Sequence, residues 1–137
     1  LEVLVDEQVE DGHNASISIE AESIVPGRYN ALTRVFRNLI ENAIKYGVNV
    51  HVTVSESQDQ AVVFVDDDGP GIRDEDIEEA FEPFQRLEAD GPGSGLGLAI
   101  VRTIVIDHGG AVSLSNRAGG GLRATVSLPK ETSDQPT

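Results

Sequence analysis

Apolar and polar positions repeat along this chain with two distinct periods. Over 29–46, Leu32, Val35, Phe36, Leu39, Ile40 and Ala43 recur at three- and four-residue steps. That spacing predicts a helix with one apolar stripe, ended by Gly47 in the C′ position. Leu96, Ile100, Val101, Ile104 and Val105 repeat the pattern over 96–108, where His108-Gly109-Gly110 stops it. Alternation marks "SISIE" (16–20) as a strand, and "NVHVTVSE" (49–56) and the apolar, β-branched run "AVVFVDD" (61–67) read as two more. "AVSLSN" (111–116) and "ATVSLP" (124–129) flank "RAGGG", a hairpin signal. From Arg73 to Gly97 the chain is acidic, carries Pro83 and Pro92, and offers only a short helical patch near 74–81. The order predicts an α+β fold, a two-layer sandwich of a mixed sheet with helices on one face.

Composition narrows the class. The chain has 137 residues with 39% apolar content, enough for one domain with its own core, expected over 1–130. The tail 131–137 has no apolar anchor and is expected to fray. There is no cysteine, which excludes disulfides and thiolate metal sites. A formal charge of −14 argues against nucleic acid as a partner, because phosphate backbones are bound through basic surfaces. No apolar run reaches the roughly 18–20 residues of a membrane span.

Three constellations carry candidate chemistry. Asn38, Asn42 and Lys45 stand at i, i+4 and i+7 and share one helix face, away from the apolar stripe. Carboxamide oxygens suit Mg²⁺ and lysine suits phosphate, although a merely solvated face is an even alternative. In "VDDDGPGI" a strand ends in Asp67-x-Gly69-x-Gly71. A carboxylate accepts hydrogen bonds and so can read the exocyclic amine of adenine, while glycines let the backbone approach a flat base. A solvated acidic turn is the competing reading; a calcium loop lacks its downstream glutamate. In "GPGSGLGLAIV" (91–101), Gly93, Gly95 and Gly97 lead into a helix N-terminus, which favours phosphate. Neither the Rossmann nor the Walker spacing is met.

Taken in order, these pieces resemble the catalytic ATP-binding domain of bacterial sensor histidine kinases, on the Bergerat fold shared with gyrase and Hsp90. "NLIENAIKY" (38–46) is similar to the family's N box, "DDGPGI" (67–72) to its G1 box and "FEPFQR" (81–86) to its F box. "GSGLGLAIV" (93–101) is similar to the G2 box and "GGGLRATVSLP" (119–129) to the closing glycine turn and strand. Within the family, the actinobacterial kinases are the expected kin.

The resemblance implies that Asn42 ligates Mg²⁺ with help from Asn38, and that Lys45 and Tyr46 lie beside the phosphates and ribose. It puts Asp67 on the adenine amine, with Gly69, Gly71 and Ile72 shaping the base pocket. Gly93, Ser94, Gly95, Leu96, Gly97 and Leu98 then line the phosphate site below a mobile ATP lid at about 73–97. Arg86 either reaches the γ-phosphate on lid closure or simply faces solvent. Phe81 and Phe84 are expected to anchor the lid. Asn38 stands where the gyrase and Hsp90 branch carries its water-activating glutamate, which favours phosphoryl transfer over hydrolysis. His13, His51 and His108 look structural or exposed, with partial positive charge on His108 suiting the end of its helix. The phosphoacceptor histidine is therefore expected on a separate dimerisation hairpin upstream of Leu1, with a response regulator as the next acceptor. A monomer is expected for the isolated domain, on the cytoplasmic side of an inner-membrane sensor kinase. A regulatory module without phosphotransfer, and an anti-sigma-type serine kinase, are the alternative readings.

Overall fold

The alternating segments form five strands: β1 (Asn14–Ile19), β2 (Asn49–Ser57), β3 (Gln60–Asp67), β4 (Ala111–Asn116) and β5 (Leu122–Pro129). The helices are α1 (Glu2–Glu10), α2 (Tyr29–Tyr46), α3 (Ile77–Ala80) and α4 (Gly97–Asp107), with a 3-10 turn at Asp74–Asp76. The computed structural model describes residues 2–10, 12, 14–20, 28–46, 49–81 and 97–130. Gly47, His13, 82–96 and the tail 131–137 lie outside the described residues, and with them most of the predicted lid.

One mixed sheet runs in the order β1-β2-β3-β5-β4. β1 pairs parallel to β2, and every other pair is antiparallel. Alternation along the strands separates two faces. On one, Val50 and Val52 of β2, Val63 and Val65 of β3, and Ala124, Val126 and Leu128 of β5 are buried. They meet Val35, Phe36, Leu39, Ile40 and Ala43 of α2 and Val101 and Val105 of α4 in one core. The predicted stripe of α2 is therefore its buried face, and the helix bounds match the periodicity residue for residue.

α1 has no counterpart among the predicted elements. Three of its four apolar residues, Val3, Leu4 and Val5, are consecutive and only Val9 adds a helical step, so no stripe is legible. Only Leu4 and Val5 enter the core, while Val3 remains 69% exposed. The first part of the expected lid is also more firmly held than its acidic composition suggests. Ala80 and Phe81 are buried in the core, and Arg102 of α4 lies 5.0 Å above the Phe81 ring while pairing with Glu78 at 3.3 Å. Phe81 thus anchors in apolar contacts as expected.

His108 differs from expectation in its charge. Its Nε2 accepts the backbone N–H of Arg28 at 3.1 Å, so that nitrogen carries no proton. Its Nδ1 must then donate to the Ile104 carbonyl, 2.8 Å away. This is a neutral imidazole joining the end of α4 to the residue before α2, because only a lone pair can receive an N–H. Gly109, at φ 79°, and the Gly110 N–H bonded to the Val105 carbonyl close α4.

The opposite face of the sheet bears a row in register: Ser16, His51, Asp66 and Arg123. Asp66 is only 5% exposed, and Arg123 grips both its oxygens, Nε at 2.7 Å and Nη2 at 2.9 Å. The same guanidinium lies 4.5 Å above the Phe64 ring. This fork pins the end of β3 to β5 one residue before Asp67. Arg123→Leu should leave a buried carboxylate unpaired and lower unfolding free energy by about 2 kcal/mol in urea denaturation. Adding Asp66→Asn should recover part of the loss, since no charge is then stranded.

Candidate functional site

The end of β3 places a charge where the pattern of the strand calls for an apolar side chain. Asp67 follows Val63 and Val65 on the core face and is only 5% exposed. Its Oδ1 accepts the N–H of Gly69 at 2.8 Å and of Leu122 at 3.3 Å. Among the described residues Oδ2 has no partner, so one acceptor of a buried acid is left for something else. Burial chiefly pushes the Asp67 carboxyl above its usual pKa, and neighbouring Asp68 adds to this. The Gly69 and Leu122 N–H groups and the Arg117 guanidinium pull it back.

The turn after Asp67 is tied at several points. Gly71 has φ 77°, a conformation open to glycine at little strain. The side chain of Asn116, the last residue of β4, meets Ile72 on both backbone groups. Asn49 donates to Asp68 through its backbone at 2.9 Å and its amide at 2.7 Å. Ile72 packs partly buried against the core.

The second half of the site lies where α2 meets α4. Asn38 and Asn42 are half-buried, on the side of α2 away from its fully buried stripe. The Asn38 amide donates to the carbonyl of Gly97, first residue of α4, at 3.5 Å. With Nδ2 so used, Oδ1 of Asn38 remains an oxygen donor of the kind Mg²⁺ accepts, as does that of Asn42. Leu98 packs against the core one residue into α4. Among the described residues the first N–H groups of that helix have no intrahelical acceptor, which makes its start suited to an anion.

Of the residues singled out in the sequence, Asp67, Gly69, Gly71 and Ile72 therefore form one turn, and Asn38, Asn42, Gly97 and Leu98 one helix junction. Lys45 and Tyr46 close α2, with side chains outside the described portion. Arg86, Gly93, Ser94, Gly95 and Leu96 also lie outside it. Asn116, Arg117 and Asn49 were not legible as site residues. They read as strand ends and turn, and only the pairing of distant strands brings them to Asp67.

A cleft of about 500 Å³ opens on the other face of the sheet, lined among others by Ser16, His51 and Asp66. Ser16 Oγ lies 2.5 Å from His51 Nδ1, which invites comparison with a Ser-His-Asp triad. Both Asp66 oxygens are engaged by Arg123, so the carboxylate is not free to orient the imidazole.

Comparison with known proteins agrees with this fold. Residues 27–132 match the family described as histidine kinase-, DNA gyrase B- and HSP90-like ATPase. The sensor histidine kinase GtrS of Pseudomonas aeruginosa is 42% identical over 130 residues, 95% of this chain and 27% of that protein. The ATP-binding domain of PrrB from Mycobacterium tuberculosis superposes with a TM-score of 0.76 at 28% identity, covering 95% of this chain and 93% of that one. Full-length ShkA in complex with AMPPNP gives 0.80 at 26% identity, over 99% of this chain and 29% of that one. The chain spans about a quarter of the length of the curated relatives it matches.

The raised Asp67 carboxyl has a consequence for stability. A folded value above the unfolded one means the native state binds the proton more readily. Stability from this group is then present at acid pH and is lost as pH rises from about 4 through the raised value. Asp67→Asn keeps an oxygen for the Gly69 and Leu122 N–H groups and removes the charge. Its melting temperature should equal or exceed wild type at pH 7, with the difference shrinking toward pH 4 in scanning calorimetry.

Proposed function

Because the chain belongs to the histidine kinase-, DNA gyrase B- and HSP90-like ATPase family, we propose that it binds Mg-ATP and donates the γ-phosphate to a histidine. That acceptor sits on a separate dimerisation domain, and an aspartate of a response regulator receives the phosphate next. The observation that carries this reading is the buried Asp67 carboxylate, with one oxygen saturated by backbone N–H groups and the other without a described partner. Such an acceptor selects a donor, and the 6-amine of adenine is one where the 6-oxygen of guanine is not. Gly69 and Gly71 are assigned to the base pocket, Gly71 by giving the Asn116 side chain room to hold the turn, and Ile72 offers the base an apolar wall.

The phosphates then extend toward the start of α4, where the first N–H groups, beginning at Gly97 and Leu98, receive negative charge. Lys45 and Tyr46 are assigned to the phosphates and ribose, and Gly93, Ser94, Gly95 and Leu96 to the approach to α4. Arg86 is assigned to the γ-phosphate. Asn42 and Asn38 would hold Mg²⁺, whose bound charge offsets that of the β- and γ-phosphates. In the transfer, the bond from the γ-phosphorus to the bridging oxygen breaks as one to the acceptor imidazole nitrogen forms. ADP leaves, and the imidazole proton passes to a base. Asn38 and Asn42 supply no carboxylate to activate water, so the site favours an incoming nucleophile held by a partner domain. The similarity to GtrS and to the ATP-binding domain of PrrB supports this division of labour. The chain is thus the catalytic half of a sensor kinase, facing the cytoplasm, where ATP is present. The unit is 1–130 with its lid within 73–97, and is a monomer on its own.

Titration of this chain with ATP, with and without Mg²⁺, tests the reading by calorimetry. Asp67→Asn should weaken ATP binding by roughly tenfold or more, because its amide nitrogen turns a donor toward the adenine amine. Asn42→Ala should weaken the Mg²⁺-dependent part of ATP binding by roughly tenfold or more and leave metal-free ADP binding unchanged. No binding to wild type at millimolar ATP would sink the proposal.

A further inference from the structure

The turn that would read the base is held by a hairpin tip 50 residues away. Asn116 Oδ1 accepts the Ile72 N–H at 2.9 Å, and its Nδ2 donates to the Ile72 carbonyl at 2.5 Å and to Asp74 Oδ1 at 3.2 Å. One side-chain amide thus pairs with both backbone groups of one residue, as a neighbouring strand would. At the other end of the turn, Arg117 Nη1 donates to the Asp67 carbonyl at 2.7 Å. The Arg117 N–H in turn bonds the Gly121 carbonyl at 2.9 Å, closing the tip.

Two glycines record how close the approach is. A Cβ on Gly71, at φ 77°, would overlap Asn116 Oδ1. A Cβ on Gly121, at φ 99°, would overlap the Asp67 carbonyl. The hairpin therefore touches the first and last residues of the segment 67–72. Asn116 and Arg117 are both exposed, so their bonds add little to the core.

We infer that Asn116 and Arg117 are positioning residues for base recognition, acting through the backbone of 67–72 to aim the second oxygen of Asp67. This rests on the reading that Asp67 accepts the adenine amine. The physical reason is entropic. The turn carries Gly69 and Gly71, which are costly to order, and each residue fixed in one backbone well costs about 1–2 kcal/mol. Held before the ligand arrives, the turn does not charge that ordering against affinity. The clamp comes from the end of β4 and the turn that joins it to β5.

The test compares ATP with purine riboside triphosphate, the same nucleotide without the 6-amine, by titration of wild type, Asp67→Asn, Asn116→Ala and Arg117→Met. Hydrogen exchange at the Ile72 amide is followed alongside. Wild type should prefer ATP by roughly tenfold or more, the worth of one hydrogen bond to a charged group. Asn116→Ala should bind ATP about tenfold more weakly, with the preference falling toward one and faster exchange at Ile72. A merely structural defect lowers the competent fraction for both nucleotides alike and leaves the ratio untouched. A folded Asn116→Ala with wild-type preference overturns the inference; if that variant does not fold, Arg117→Met decides in the same way. Should wild type show no preference for the amine, base reading by Asp67 fails and the clamp's role with it. Should Asp67→Asn lose the preference while both clamp variants keep it, only the clamp is refuted.

Discussion

A carboxylate buried at the end of a central strand constrains everything around it. An ionised acid in the interior is costly unless hydrogen bonds replace its hydration. Here the replacement comes from the main chain, the N–H of Gly69 in its own turn and that of Leu122 on the adjacent strand. For Leu122 to reach Asp67, β5 must lie beside β3, and Gly121 must pass directly against the Asp67 carbonyl. The raised carboxyl pKa shows that these bonds do not fully offset the burial. A site of this kind is held at the expense of stability, as functional sites commonly are.

The rest of the fold serves to hold that turn opposite a helix junction. α2 and α4 lie on the same face of the sheet, joined by Val35, Leu39, Val101 and Val105 in one core. Polar ties fix them at two further points, the Asn38 amide on Gly97 and the neutral His108 on Arg28. Because the buried faces are packed, the half-buried asparagines of α2 and the start of α4 keep their relation without a ligand. The proposed chemistry asks for little more than this. Phosphoryl transfer depends on position and charge, and the groups that make or accept the new bond can come from another domain.

Much of this was written locally. The period of α2 is legible to the residue because its stripe of Leu32, Val35, Phe36, Leu39, Ile40 and Ala43 is unbroken, and alternation or, in β3, a β-branched apolar run marks every strand to within about two residues. Asp67, Gly69 and Gly71 stood out because an acid and two glycines end an apolar strand. α1 is not legible, since Val3, Leu4 and Val5 are consecutive and Val9 alone does not establish a helical period. The hydrogen bonding of His108 is not legible either, because its position at the end of α4 suggests a cation and the deciding partner, the Arg28 N–H, is 80 residues distant.

The sequence by itself determined the two-layer architecture and the identity of the chemical groups, since periodicity and side-chain type are properties of neighbours along the chain. Which groups meet was decided only by tertiary structure. Nothing in "SNRAGGG" says that Asn116 will pair with Ile72 or that Arg117 will hold the Asp67 carbonyl. Those contacts exist because β5 inserts between β3 and β4, an order that no local pattern encodes and that burial of the shared apolar face selects.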